Sequence, residues 1–95
     1  MTYELNITIQ HPTDKDKVVS LHLIASFAHN PNQYGNGYSL NIKGENGFDL
    51  YYDLRYDKEF SKSTKEEYLL SWAKSYWCGT NGAYRLIQFE IVWAD

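Results

Sequence analysis

Cysteine, proline and methionine are almost missing from this chain of 95 residues, which holds one, two and one of them. With Cys78 alone there is no internal disulfide and no cysteine-based zinc site, which fits a reducing compartment. No apolar run approaches the roughly 20 residues of a membrane span. The start Met-Thr-Tyr-Glu-Leu enters a strand pattern directly, without the apolar core of a signal peptide, so a cytoplasmic location is expected. Positive charge is also scarce. Nine Lys and Arg against twelve Asp and Glu leave a net charge of −3, which argues against binding nucleic acid by counterion release.

Aromatic residues are in surplus, at 17% of the chain with nine Tyr, four Phe and three Trp. Such side chains fill cores, and where they stay on the surface they anchor interfaces. Three Asn-Gly steps, Asn36-Gly37, Asn46-Gly47 and Asn81-Gly82, sit between alternating runs. Asn-Gly supplies the positive φ angles of tight hairpins, so all three read as turns between antiparallel strands.

The runs themselves give the element order. Tyr3, Leu5, Ile7 and Ile9 alternate with polar residues until His11-Pro12 and the charges after it break the strand. Val18 to Ala28 places Val19, Leu21, Leu23, Ala25 and Phe27 on one face. A helix is compatible with that composition, but no cap precedes it, and a strand is the better reading. His29 to Gly37 reads as a polar loop ending in a tight turn, and loops of this kind often carry function. Tyr38, Leu40 and Ile42 form the next strand. After Asn46-Gly47, Phe48, Leu50, Tyr52, Leu54 and Tyr56 oppose Asp49, Tyr51, Asp53, Arg55 and Asp57.

Ser63 with Glu66, or Thr64 with Glu67, offers a capping box for a helix running to about Cys78, with Gly79 as a left-handed stop. Its apolar residues spread over roughly 200°, wider than the usual stripe of about 100°. The excess falls on Trp77 and Leu70, to be covered by a loop or by another molecule. Ile87, Phe89, Ile91 and Trp93 should face inward from the last strand. The expected fold is a single α+β domain over residues 1–95. It has about five mainly antiparallel strands in the order β-β-β-β-α-β, with one amphipathic helix packed on one face. The strand order within the sheet stays open.

No catalytic signature is present. Asp49, Asp53 and Asp57 are spaced along one strand, where same-face residues two apart sit about 7 Å from each other and Asp49 and Asp53 about twice that, whereas a cation needs carboxylates converging at about 2.0–2.6 Å. His11, His22 and His29 are too scattered for a tetrahedral site. Cys78 closes a helix at its negative end, away from the pole that activates thiols. Neither Gly35-Asn36-Gly37 nor Gly79-Thr80-Asn81-Gly82 precedes a helix, so neither is a phosphate loop. No metal and no cofactor is expected.

The remaining signal is a set of candidate interface residues: Trp77, Leu70, Tyr34, Tyr51, Tyr84, Asp49, Asp53 and Asp57. They point to a non-enzymatic domain that binds a protein partner or a second copy of itself. A compact acidic domain without motifs also fits an accessory factor of a phage or mobile element that inhibits a host complex. In that case Asp49, Asp53, Asp57, Glu45 and Glu90 would imitate a phosphate row, weakly at this net charge. Two rivals stand beside it. One is a single-stranded nucleic-acid binder that stacks bases on sheet tyrosines such as Tyr51. The other is a small enzyme whose site is shared across a dimer, with His29 set beside Cys78 or Asp57 of its mate.

Overall fold

The computed structural model describes residues 1–32, 35–56, 61–79 and 83–95. Among them are five strands and one helix: β1 (Thr2–Gln10), β2 (Val18–Asn32), β3 (Gly35–Gly44), β4 (Asp49–Tyr56), α1 (Lys62–Cys78) and β5 (Arg85–Ala94). All five strands join one antiparallel sheet in the order β4-β3-β2-β1-β5. This is the expected α+β fold, and the run from Val18 is a strand. The first four strands form a meander, and α1 carries the chain across one face to bring β5 beside β1. No helix among the described residues is long and apolar enough to cross a membrane.

Alternation supplies the core. Tyr3, Leu5, Ile7 and Ile9 of β1, Leu23, Ala25 and Phe27 of β2, and Tyr38, Leu40 and Ile42 of β3 are all buried on the helix side. Leu69, Trp72, Ala73 and Trp77 of α1 close over them. Lys65 lays its ammonium over the rings of Phe27 and Tyr38, at 5.8 and 5.7 Å from their centroids, which shields that end of the core.

Four local expectations need correction. The first is the reading of His29 to Gly37 as a loop with a turn at Asn36-Gly37. The ladder between β2 and β3 instead continues through His29↔Tyr38, Asn30↔Gly37 and Pro31↔Asn36 to Asn32↔Gly35. A local Gly-Asn-Gly signal yields to pairing on both sides, because β3 also pairs with β4 there. By contrast Asn46-Gly47 is the tight turn its sequence suggests, with φ of 58° and 78° and the Phe48 amide donating to the Glu45 carbonyl. Asn81-Gly82 lies outside the described residues.

The second concerns the helix ends. Ser61 is the N-cap, its Oγ accepting from the Thr64 amide, ahead of either expected capping box. Gly79 is extended rather than left-handed, at φ −81°. A Cβ there would lie 2.4 Å from the Ser75 carbonyl oxygen, so close approach rather than handedness calls for glycine.

The third is Trp77 as an interface anchor: it is only 8% exposed, and of the two covers expected for it, a loop or another molecule, the loop is the one found. Phe48, from the end of the β3–β4 hairpin, stacks on it with ring centroids 6.2 Å apart, and Trp72 meets it edge-on at 5.2 Å. The hairpin is therefore the loop that covers this flank, and the aromatic left at the surface of α1 is Tyr76.

The fourth is β5. Its pairing with β1 shifts register between Thr8 and Ile9 and again between Glu4 and Leu5. Those shifts leave Ile87 and Val92 as extra residues, since Ile9↔Leu86 is followed by Thr8↔Gln88, and Leu5↔Ile91 by Glu4↔Trp93. Leu86, Phe89, Ile91 and Ala94 pack on the core in place of a strict alternation. Ile87 and Trp93, expected inside, are both more than half exposed.

Candidate functional site

With α1 on one face, the other face of the sheet is left to solvent, and pairing tells which side chains share it. Lys43 lies between Asp49 and Ile24 on neighbouring strands, Ile24 is opposite Glu4, and Glu4 is opposite Trp93. The next row holds His22, Asn6 and Glu90, and the one on its other side Tyr51, Asn41, Ser26 and Thr2. Two exposed apolar residues, Ile24 and Trp93, thus sit two strands apart in a polar face.

Trp93 is 53% exposed and stands in an acidic neighbourhood. Glu4 is opposite it, Glu90 is on the same strand, and Asp95 is held nearby as its carboxylate accepts from the Thr2 amide at 2.6 Å. His22 Nε2 lies 2.7 Å from a carboxylate oxygen of Glu4, which fixes the Glu4 side chain on the sheet surface. Beside these groups is a shallow polar hollow of about 300 Å³, lined by Asn6, Thr8, Ser20, His22, Gln88 and Glu90.

At the opposite edge, β4 presents Asp49, Tyr51 and Asp53, all exposed. Asn41 Nδ2 donates to the Asp49 carboxylate at 2.8 Å and to the Leu50 carbonyl at 3.0 Å, tying β3 to the edge strand. Tyr51 donates its hydroxyl proton to Asp53 at 3.0 Å. That bond raises the Tyr51 pKa above its ordinary value of 10.0. Burial, together with the charges of Glu66 and Asp95, raises that of Tyr3.

Both phenols hold their protons more tightly folded than unfolded. Their contribution is therefore complete below the unfolded value of about 10 and is lost as pH rises through the folded values. Replacing Asp53 by Asn is expected to bring the Tyr51 titration back down toward 10, read from its ring carbon shifts by NMR. An unmoved midpoint would show that Asp53 does not hold the phenol.

Of the residues expected at an interface, Asp49, Tyr51 and Asp53 come together on one exposed strand. Trp77 and Tyr84 belong to the helix side. Tyr84 packs against the core, donates its amide to the Trp77 carbonyl at 3.0 Å and meets the His11 ring edge-on. Leu70 is half-buried on α1, far in kind from the open anchor expected of it. Tyr34 and Asp57 lie outside the described residues.

The histidines serve separate local roles. Nδ1 of His11 accepts from the Thr13 and Asp14 amides, and the His29 ring stacks on Tyr38. No three His, Cys, Asp or Glu side chains among the described residues converge as metal donors. No protein-family model, curated protein or solved structure matches the chain.

Trp93, Ile24 and Glu4 are the members of this face that sequence reasoning missed. The signal for Trp93 was available in the unbroken apolar run Ile91-Val92-Trp93-Ala94. Such a run cannot alternate, and a bulge is one way to resolve it.

Proposed function

We propose that this chain is a protein-binding domain that docks its partner on the open face of the sheet around Trp93. The reading is carried by one observation: a tryptophan more than half exposed on the open polar face of the sheet, on edge strand β5, with Glu4 directly across from it. Large aromatics with a polar rim are what dominate the energetics of protein interfaces. Glu4, Glu90 and Asp95 define the chemistry of the matching surface. It presents an apolar recess for the indole, bordered by Lys or Arg, which also favour the face of an indole ring.

The reading is tested by charge inversion beside the tryptophan. A protein retained from lysate by the wild-type domain is expected to lose at least about fivefold in affinity when Glu4→Lys and Glu90→Lys are combined. The same protein should bind a Glu67→Lys control on the exposed side of α1 unchanged. Retention that is equal for all three proteins, or the absence of any retained protein at low salt, would overturn it. Saturable binding of a short single-stranded oligonucleotide that disappears in Tyr51→Ala would replace it with the nucleic-acid reading.

A further inference from the structure

We propose that the outer edge of β4 is a self-association edge, where two copies of this chain pair β4 against β4 about a two-fold axis at Tyr52. The proposal does not rest on the partner reading, since β5 with Trp93 is at the far end of the sheet.

The sheet has two outer edges, and they are built differently. β5 is interrupted by bulges at Ile87 and Val92, which leave only a short regular stretch and twist the edge away from further pairing. β4 has no such protection. Its ladder with β3 runs from Lys43↔Asp49 to Asn36↔Tyr56 without a register shift, and no described residue pairs with its other side.

The direction of its free hydrogen-bonding groups follows from the hairpin. The Gly44 amide donates to the Phe48 carbonyl, which makes this the first bonded pair of the β3–β4 ladder. Bonded pairs recur every second residue, so Leu50, Tyr52 and Leu54 bond inward to β3. Positions 49, 51, 53 and 55 then turn their amides and carbonyls outward.

Charge and the length of strand engaged together select the register. A two-fold antiparallel partner must match like faces, so only registers centred on a residue are allowed. Centring on Tyr51 sets Asp49 against Asp53 of the second copy, twice. Centring on Asp53 sets that carboxylate against itself. Like charges directly opposite are destabilising, and both registers are rejected.

Centring on Leu54 also sets an acidic position, 53, opposite a basic one, 55, but engages only the last residues of β4. Centring on Tyr52 engages nearly its whole length and brings position 49 opposite position 55, acidic against basic, in both halves of the dimer. It brings Tyr51 opposite Asp53, the same phenol–carboxylate pairing that already exists within the strand. Both pairs use positions whose backbone groups point outward. On the helix side, Leu50 meets Leu54 and the two Tyr52 residues meet at the axis. All three are only half-buried in the single chain and would gain cover. One strand edge makes a small interface, so the association is a concentration-dependent equilibrium rather than an obligate dimer.

The test is sedimentation velocity over a concentration series, combined with amide hydrogen exchange by NMR. The wild-type mass is expected to rise from 11.1 kDa toward twice that value. Exchange at the Tyr51 and Asp53 amides should slow as it does. Asp49→Arg alone and Arg55→Asp alone should each weaken association at least about tenfold, because each turns two attractive pairs into repulsive ones. The double variant, which swaps the charges, should return to within about threefold of wild type. Circular dichroism of each variant, and the exchange pattern of the wild type, keep folding separate from association. A monomer at every concentration, a dimer without protection at Tyr51 and Asp53, or a double variant no better than the single ones overturns the proposal.

Discussion

Replacing Trp72 by Ala is expected to cost the fold about 3–5 kcal/mol, a large share of the 5–15 kcal/mol that a domain of this kind holds in total. Trp72 is buried where α1 meets the sheet, and it acts in two ways. Its ring is part of an aromatic cluster, stacked on Tyr76 at 5.5 Å and edge-on to Trp77 at 5.2 Å. Its indole Nε1–H donates to the Tyr52 hydroxyl at 2.9 Å, which ties the helix to edge strand β4. Truncation opens a cavity and removes that donor together.

Trp72→Phe separates the two effects. It keeps most of the ring but not the N–H, so it is expected to cost about 1–2 kcal/mol. Urea unfolding followed by circular dichroism reads both variants. For a domain of this size the alanine variant should melt roughly 15–30 °C lower. If it unfolds within about 1 kcal/mol of wild type, then Trp72 does not hold the helix to the sheet.

How much of this could be read from the chain depends on whether local chemistry or pairing decides each position. The Asn46-Gly47 turn was legible because it closes a hairpin whose geometry is local, and both residues take the positive φ that their types permit. The strands β1, β3 and β4 were legible because one face of each packs on the core and the other is wetter, so the period of two is intact. Asn36-Gly37 has the same composition as the real turn, yet it lies inside β3 between two partner strands, where ladder bonds outweigh a turn preference.

The helix was clear in existence but not at its start. Ser61, Ser63 and Thr64 are all good caps, and only the fold decides among them. The candidate site was the least legible part. Counting apolar residues around the helix showed a stripe too wide to bury, but not that Phe48 from a distant hairpin would lie over Trp77. Counting by twos along β5 put Trp93 inside; the unbroken apolar run from Ile91 to Ala94 spoke against a strict period of two, but where the bulges fall is decided by pairing with β1.

That displaced tryptophan carries the second large expectation. Trp93→Ala should reduce affinity for the docked partner by roughly 30-fold or more, the loss of about 2 kcal/mol that marks an interface hot spot. It should change the stability of the isolated domain little. Half of the side chain is already in water, and Trp93 is absent from the residues that pack on the core. The contrast with Trp72 makes this specific: two tryptophans of one small domain, one whose loss is read in unfolding and the other in binding. Isothermal titration with the partner and urea unfolding of the same two variants check both halves. Bulges as a rule re-aim a side chain or end a ladder, and here the bulge at Val92 lies beside the one tryptophan that the sheet turns outward. If Trp93→Ala binds as well as wild type, Trp93 is exposed merely because the strand is kinked, and the acidic residues around it have to find their role elsewhere.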